Sequence, residues 1–285
     1  MNENKTNINF FPGHMAKTRR EIGEKLKLID IVYEVVDARI PVSSRIVDID
    51  DLIKDKPKII IMTKKDLCDI EKTNKWIKYY EDLGYKVFLV DLINDKSLGK
   101  LFDLTDELLT SLNDKRTNQG LLERKYRALI MGVPNVGKST LINKITGKKS
   151  VNVGDKPGIT KNISWIRIND KLELMDTPGI LWPKLENQTV AYNLAVFSSI
   201  KDEILPIDEV ACYILKYMYS NYKEALINRY NLDYLDEEDY TDAYELIGRK
   251  RGCLIRGNEV DYNKVSNLII KDLREGYLGK VTFDE

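Results

Sequence analysis

The chain has 285 residues, which is enough for one large domain or two of ordinary size. Hydrophobic residues make up 43% of it, sufficient for a real core, while charged residues make up 32% and the formal net charge is zero. This balance argues against recognition of a polyanion by overall charge, so any nucleic-acid site has to be a local patch.

Three cysteines, Cys68, Cys212 and Cys253, lie far apart in the chain. Their spacing fits neither a disulfide framework nor a CxxC zinc site, and scattered thiols are typical of a reducing cytoplasm. No apolar run approaches the roughly 18 residues of a membrane span, and the N-terminal residues lack the apolar core of a signal peptide. We therefore expect a cytoplasmic protein that does not contact a membrane. We also expect the protein to be monomeric.

Short apolar runs alternate with amphipathic segments in the first two thirds of the chain. Strands are predicted where β-branched residues form short runs, and helices where apolar residues recur every three or four positions. Such alternation predicts an α/β fold, with a mostly parallel sheet covered by helices on both faces. In chain order we predict a helix at 15–28, a strand at 31–36, a helix at 47–53, a strand at 58–62, a helix at 71–83, a strand at 86–90, a helix at 97–112, a polar linker at 117–124, a strand at 128–131, a helix at 138–146 and a hairpin of strands 163–168 and 172–175.

The pattern changes after Pro183, where the strand signal disappears. Helical patterns follow at 210–219, 240–249 and 260–274. We place a boundary near residues 183–188, which gives an α/β domain at 1–185 and a smaller all-α domain at 186–285.

A phosphate-binding loop is predicted at residues 132–139, where GVPNVGKS matches the pattern G-x-x-x-x-G-K-[ST]. It follows a predicted strand and opens a predicted helix, the context in which backbone N–H groups and a helix N-terminus surround phosphates. Lys138 is expected to reach the β- and γ-phosphates, and Ser139 to ligate Mg²⁺. The nucleotide-contacting residues of this loop are predicted to be Pro134, Asn135, Val136, Gly137, Lys138, Ser139 and Thr140.

Two elements downstream complete a nucleoside triphosphate site. The Asp176-Thr-Pro-Gly179 segment follows the predicted strand 172–175, so Asp176 can hold Mg²⁺ through water and the N–H of Gly179 can sense the γ-phosphate. Acidic turns that end in glycine are common, but one placed shortly after a P-loop is a strong signal. Thr160, between the two motifs, is expected to complete the Mg²⁺ shell with its hydroxyl.

Guanine recognition is predicted at Thr63-Lys-Lys-Asp66, which resembles the guanine-reading NKxD motif with Thr in place of Asn. The Asp66 carboxylate can accept hydrogen bonds from N1–H and the 2-amino group of guanine, which adenine lacks, and the stem of Lys64 can cover the base. Loss of the Asn removes one orienting hydrogen bond, so weaker affinity is expected. Asp91-Leu92 stands where a contact to guanine O6 is usual, but departs from the usual Ser-Ala.

The motif order is unusual, because the base-reading motif precedes the P-loop. The same parallel sheet can be built from a chain cut and rejoined elsewhere, since the termini of such domains are often close. A circularly permuted P-loop G domain is therefore predicted. The DxxG segment then leads almost directly into the helical domain, which gives the nucleotide state a short route to move that domain.

Six segments spread over nearly the whole chain carry a family resemblance. They are FPGHM at 11–15, DARIP at 37–41, GVPNVGKST at 132–140, PGIT at 157–160, DTPGILWPK at 176–184 and KRGCL at 250–254. In these segments the sequence resembles the bacterial ribosome biogenesis GTPase A family, also called YlqF. This resemblance implies a GTPase of late large-subunit (50S) assembly that binds the precursor particle with GTP and is released after hydrolysis. The helical domain is then expected to contact ribosomal RNA.

The catalytic group has to come from outside the DxxG segment. Ile180 stands where many small GTPases carry a Gln that positions the attacking water, and its side chain cannot hydrogen-bond water. The family resemblance implies that the single histidine, His14, is catalytic, and an imidazole can orient water or take its proton at neutral pH. Without the resemblance, a capping or packing histidine is the commoner interpretation. Asn135 also suggests K⁺ beside the phosphates, since an Asn at this position helps hold that ion in similar GTPases.

Local basic clusters permit contacts with the phosphate backbone of RNA, although each cluster alone is more often a solvated face. The acidic run 233–242 would face away from the RNA. The clusters are Lys17, Arg19, Arg20, Lys25 and Lys27; Lys148, Lys149, Lys156 and Lys161; and Arg249, Lys250, Arg251 and Arg256.

Two other functions stay open. A small-subunit assembly GTPase is possible within the permuted class, but such relatives usually carry a zinc site or an OB-fold module, and this chain has neither signature. A GTP-dependent RNA- or ribosome-binding switch with negligible hydrolysis is compatible with Ile180. An ATP-using kinase is disfavoured, because Asp66 disfavours adenine.

Overall fold

The computed structural model describes residues 8–9, 20–54, 56–96, 98–120, 122–147, 164–177, 184–185, 187–200 and 204–285. Several residues singled out in the sequence lie outside these ranges. They are His14, Thr160, Gly179 and Ile180, together with the basic residues Lys17, Arg19, Lys148, Lys149, Lys156 and Lys161.

A six-stranded sheet forms the centre of the α/β half. Its strands are β2 (Ile31–Asp37), β3 (Lys58–Thr63), β4 (Lys86–Leu89), β5 (Tyr126–Met131), β6 (Ser164–Arg167) and β7 (Leu172–Asp176). The spatial order is β4-β3-β2-β5-β7-β6, and every neighbouring pair is parallel except β6 with β7. The prediction of a mostly parallel sheet is confirmed.

A separate two-stranded antiparallel sheet pairs β1 (Ile8–Asn9) with β8 (Lys184–Leu185). The expectation that strands end at Pro183 is therefore wrong, because β8 follows it directly. Two residues are too few for hydrophobic alternation to show, so the sequence carried no signal for either strand. The pairing joins the chain just before the FPGHM segment to the chain just after the DxxG segment.

The helices of this half agree with the predicted order. They are α1, described at 20–25 and followed by a 3-10 turn at Leu26–Leu28, then α2 (Ile49–Ile53), α3 (Ile70–Asp82), α4 (Gly99–Asn118) and α5 (Lys138–Thr146). The linker predicted at 117–124 starts too early, because α4 continues to Asn118. Lys115 and Arg116 favour this extension, since cations stabilise the negative end of a helix dipole.

Alternate residues of β2 point to opposite faces of the sheet, and both faces are covered. On one face Ile31, Tyr33 and Val35 pack in a core that includes residues of α4 and α5. On the other face, Val32 joins a cluster with residues of α1 and α2, and Val36 joins one that includes a tyrosine of α3. The prediction of helices on both faces is confirmed.

The second half of the chain is helical. Its helices are α6 (Gln188–Val196), α7 (Ile207–Asn221), α8 (Lys223–Tyr230), α9 (Thr241–Arg251) and α10 (Tyr262–Arg274). Their buried side chains belong to the same continuous core as the first face of the sheet. The division into domains at 1–185 and 186–285 stays a prediction.

The sequence predicts no membrane-spanning segment, and the length and polarity of the helices bear on this prediction. None of the described helices is both long and apolar enough to cross a bilayer.

The last residues of the chain return to the α/β half. The N–H of Val281 donates to the carbonyl of Leu67 at 3.1 Å, and the N–H of Phe283 donates to the carbonyl of Arg39 at 2.7 Å. The ring of Phe283 stacks on Tyr217 of α7, with ring centroids 4.0 Å apart. This tail therefore ties the helical half to loops that follow β2 and β3.

Asp284 anchors the tail. Its buried carboxylate accepts hydrogen bonds from the N–H groups of Val42 (2.6 Å) and Ser43 (2.8 Å), from the Ser43 hydroxyl and from Nδ2 of Asn193 (3.0 Å). We expect Asp284→Ala to lower the free energy of unfolding by about 2–4 kcal/mol, because it leaves several buried donors without an acceptor. Chemical denaturation measures this loss. An equal loss for Asp114→Ala, a change of an exposed carboxylate on α4, would contradict the specific role.

Candidate nucleotide-binding site

Five loops meet at one edge of the sheet, because they leave the carboxyl ends of parallel strands. They follow β2, β3, β4, β5 and β7. In open α/β sheets this edge is where ligands bind. The loops carry, in the same order, Asp37, the base-reading motif 63–66, Asp91, the P-loop 132–139 and Asp176.

The P-loop has the backbone that a phosphate cradle needs. A Cβ on Gly132 would lie 2.3 Å from the carbonyl oxygen of Val35, so only glycine fits there. Gly137 has a φ of 94°, in the left-handed region that favours glycine, and is the N-cap of α5. The predicted strand–loop–helix context is confirmed. Of the other predicted contacts in this stretch, Pro134 and Val136 are buried, while Ser139 and Thr140 are half-buried in the first turn of α5.

The ammonium of Lys138 is folded back onto its own loop. Its Nζ donates to the carbonyl oxygens of Gly132 (3.0 Å) and Val133 (2.7 Å). Burial lowers the pKa of Lys138 to about 8, against the opposing effect of nearby Asp176. The side chain is still mostly protonated at neutral pH, so a buried positive charge stands at the N-terminus of α5.

Asp176 ends β7 and is 1% exposed. Neither of its carboxylate oxygens has a hydrogen-bond partner within the described part of the chain. Burial raises the pKa of Asp176 to about 6, against the opposing effect of the charge on Lys138. A buried carboxylate in this state is costly unless a cation or water satisfies it. The set of Asp176 and the Ser139 hydroxyl therefore fits a hydrated Mg²⁺, which takes oxygen ligands and keeps several waters.

Thr63 ties the base-reading motif to the P-loop. Its buried hydroxyl lies 2.6 Å from the carbonyl oxygen of Val136 and 3.2 Å from that of Val36. An orienting hydrogen bond between the two motifs is therefore present in spite of the exchange of Asn for Thr.

Lys64 makes the second link between these motifs. Its Nζ donates to the carbonyl oxygen of Asn135 at 2.9 Å and lies 3.0 Å from Oδ2 of Asp37. Lys64 has a φ of 59° and Asn135 a φ of 61°, which is uncommon for residues with a side chain. The Nδ2 of Asn135 donates to the carbonyl of Ser198 at 2.7 Å, so this P-loop residue also contacts the segment after α6.

Asp66 and Asp91 differ in their surroundings. Asp66 is half-buried, and burial raises its pKa, with the charge of Asp91 adding to the rise. The Asp91 carboxylate accepts hydrogen bonds from the N–H groups of Ile93 (2.8 Å) and Asn94 (2.9 Å) in its own loop. The contact of Asp91 with guanine stays a prediction.

Asp37 and Arg39 are additional members of this edge. The sequence pattern marks these two residues only as part of the DARIP segment, and no role in the site was predicted for them. Because β2 lies between β3 and β5 in the sheet, Asp37 stands between the base-reading motif and the P-loop. The sequence did contain a signal that Asp37 belongs to the site, because its carboxylate ends the buried strand β2 just as that of Asp176 ends β7.

The Thr63 tether makes a testable difference to nucleotide affinity. We expect Thr63→Val, which keeps the side-chain shape but removes the hydroxyl, to weaken GDP binding by about three- to tenfold, or roughly 1 kcal/mol. Titration with fluorescent GDP measures the change. Thr105→Val is the matched control, because the buried Thr105 hydroxyl bonds to Tyr33 in the core. Equal effects of the two variants on GDP affinity would contradict the tether.

A P-loop, a buried acidic strand end and a predicted base-reading motif that precedes both in the chain define a P-loop GTPase with a circularly permuted G domain. A family model described as 50S ribosome-binding GTPase matches residues 127–233. The ribosome biogenesis GTPase A of Priestia megaterium is 46% identical over 279 residues, which are 98% of this chain and 96% of that protein. The protein of the same name from Thermotoga maritima is 30% identical over 277 residues, 97% of this chain and 94% of its own. The chain therefore belongs to the ribosome biogenesis GTPase A family, and it is a GTP hydrolase.

Solved structures agree with this assignment. The structure of GDP-bound TM YlqF matches with a TM-score of 0.65 and 26% identity, covering 93% of this chain and 99% of that one. GNP-bound YlqF from T. maritima matches with a TM-score of 0.64 and 26% identity, covering 94% and 98%. The predicted permuted G-domain fold is confirmed.

Proposed function

We propose that this GTPase acts in late assembly of the large (50S) ribosomal subunit, binding the precursor particle in the GTP state and leaving it after hydrolysis. The relatives are named ribosome biogenesis GTPases, and the matching family model is described as 50S ribosome-binding. The observation that carries the proposal is the continuity between the nucleotide edge and the helical half. Asn135 of the P-loop bonds to Ser198, directly after α6, so a change at the phosphates has a short path into the helices.

The site residues have distinct roles in this proposal. Lys138 binds the β- and γ-phosphates, and the N–H of Gly179 contacts the γ-phosphate. Ser139 and Thr160 would ligate Mg²⁺ directly and Asp176 would hold it through water, and the bound ion would neutralise charge that develops on the phosphates. Asp66 selects guanine, and Lys64 covers the base.

The proposed surface for ribosomal RNA lies at the end of α9 and in the loop after it. Arg249, Lys250, Arg251 and Arg256 are all exposed there. Arg249 pairs with Glu245 at 2.8 Å, whereas no ion pair is seen for Arg251 or Arg256 within the described part of the chain. Exposed cations that are not already paired are suited to phosphate contacts.

Rates of GTP hydrolysis with and without purified ribosomal subunits test the function. Stimulation by 50S particles or their precursors, together with co-sedimentation in a GTP analogue but not in GDP, is the expected result. Stimulation by small subunits instead would favour small-subunit assembly. Binding without any stimulation would favour a ribosome-binding switch.

Charge reversals locate the RNA surface. We expect the double variant Arg251→Glu with Arg256→Glu to abolish co-sedimentation. The control is Lys75→Glu with Lys78→Glu, on the exposed side of α3, which makes an equal change in net charge. Equal loss in both double variants would mean that overall charge, not this surface, attracts the particle.

The monovalent cation is a further expectation. The Nδ2 of Asn135 is engaged with Ser198, whereas K⁺ would require the amide oxygen. We expect replacement of K⁺ by Na⁺ at constant ionic strength to slow hydrolysis by about tenfold, because a poorly placed cation stabilises the developing charge less well. Equal rates in the two salts would eliminate K⁺ as a cofactor.

A further inference from the structure

Asp37 is a buried carboxylate shared by two cations. It ends β2 and is 1% exposed. Oδ1 accepts hydrogen bonds from the backbone N–H and the Nε of Arg39, both at 3.0 Å, and Oδ2 accepts one from Nη2 at 2.8 Å. Oδ2 also lies 3.0 Å from Nζ of Lys64. Burial by itself would raise the pKa of Asp37, but the charges of Arg39 and Lys64 hold it well below its usual range.

One of these cations belongs to the nucleotide loops. Besides Asp37, the Nζ of Lys64 contacts the carbonyl oxygen of Asn135 in the P-loop. The left-handed backbone of Lys64 is a conformation that persists only where surrounding contacts hold it. The contacts of the Lys64 Nζ with Asp37 and with the carbonyl oxygen of Asn135 are such holding contacts. Together they fix the position of the aliphatic part of the Lys64 side chain.

The other cation belongs to the boundary with the helical half. The Arg39 guanidinium lies 4.2 Å from the ring centroid of Phe197, and its Nη1 donates to the carbonyl oxygen of Arg274 at 3.4 Å. The backbone carbonyl of Arg39 accepts the N–H of Phe283 in the tail. Phe197, Arg274 and Phe283 come from three separate segments of the second half.

We infer that Asp37 is a positioning residue for nucleotide binding. Its carboxylate holds the side chain of Lys64 between the base site and the P-loop, and Arg39 anchors Asp37 to the helical half. A buried ion pair is often no more stabilising than apolar residues of similar volume, so stability alone is a weak reason for three charges here. Their arrangement instead connects the base-reading motif, the P-loop and the helical half through one side chain. This inference rests on the proposed role of Lys64 as the cover of the base.

The test is a double-mutant cycle on the full chain, with the dissociation rate of fluorescent GDP as the readout. We expect Asp37→Asn and Lys64→Met each to raise that rate by about tenfold, and the double variant to raise it no more than the larger single effect, since residues that act through one contact are not additive. Lys64→Arg can still pair with Asp37, so its rate should stay within about threefold of the unchanged chain.

Glu34→Gln is the matched control. Glu34 is also a fully buried carboxylate of β2, paired with Arg45 at 2.8 Å and Lys58 at 3.2 Å. We expect Glu34→Gln and Asp37→Asn both to lower the melting temperature, but we expect Glu34→Gln to leave GDP dissociation unchanged. A rise in GDP dissociation with Glu34→Gln would overturn the inference, because general destabilisation would then explain the effect.

The other outcomes separate the inference from the role on which it rests. If Lys64→Met leaves GDP dissociation unchanged, the role of Lys64 and the inference both fail. If Lys64→Met accelerates dissociation but Asp37→Asn does not, or if the two effects multiply, only the positioning role of Asp37 fails. If Asp37→Asn does not fold, the comparison of Lys64→Arg with Lys64→Met decides, and equal acceleration by both overturns the inference.

Discussion

Replacing Asp176 by asparagine is expected to stabilise the nucleotide-free protein while it slows GTP hydrolysis by about ten- to a hundredfold, the usual effect of losing a group that holds a metal through water. The gain in stability follows from burial. At pH 7.5 the carboxylate is charged, its pKa is raised to about 6, and no described residue donates a hydrogen bond to it. A neutral amide of the same shape avoids part of that cost, so we expect a gain of about 1–3 kcal/mol and a melting temperature a few degrees higher.

Thermal melting without nucleotide and steady-state hydrolysis with saturating Mg²⁺ measure the two effects of Asp176→Asn. Asp30→Asn is the control, because Asp30 is also buried but pairs with Arg124 at 2.6 Å. This control should lose stability and keep its hydrolysis rate. A lower melting temperature for Asp176→Asn would show that the carboxylate is satisfied in the nucleotide-free protein, and unchanged hydrolysis would remove Asp176 from the Mg²⁺ site.

The second large effect is expected from His14→Ala. Removal of a general acid–base group costs about 10²–10⁴-fold in rate, so we expect ribosome-stimulated hydrolysis to fall by that factor while GTP affinity stays the same. His14 lies outside the described residues, but the pairing of β1 with β8 is compatible with this role. That pairing joins the chain a few residues before His14 to the chain that follows the DxxG segment.

The measurement for His14→Ala is single-turnover hydrolysis with saturating large subunits, alongside titration with a fluorescent GTP analogue. His14→Gln is a useful partner variant, because an amide can orient water but cannot take its proton. A hydrolysis rate of His14→Gln between those of the unchanged protein and His14→Ala would indicate that His14 orients water. A rate as low as that of His14→Ala would indicate proton transfer. Normal stimulated turnover of His14→Ala with intact GTP binding would eliminate the catalytic role.

Much of the fold was predictable because its signals are local. The strands β2, β3 and β5 are short runs of β-branched and other apolar residues, and their bounds agree with the predictions to within two residues. The P-loop was predictable for the same reason, since its glycines, its lysine and the start of α5 follow one another along the chain. The permuted motif order could also be read directly from the sequence.

Elements with no local signal were missed or misplaced. The strands β1 and β8 have two residues each, and a pairing between them leaves no trace in either segment. The end of α4 was misplaced because polar residues such as Thr117 fit both a linker and a solvated last turn of a helix. Thr117 bonds to the carbonyl of Asn113 within that turn.

The sequence by itself therefore determined the class of site, the order of the strands along the chain and the residues that are predicted to contact phosphate, Mg²⁺ and guanine. Only the tertiary structure decided which of the residues at this site form hydrogen bonds with one another. The Thr63 hydroxyl meets Val136 across 73 residues of chain, Lys64 meets Asn135 across 71, and Arg39 meets Arg274 across 235. The physical reason is that periodicity and turn chemistry act over a few residues, whereas these contacts arise from strand order and helix packing, which bring distant segments to one edge of the sheet.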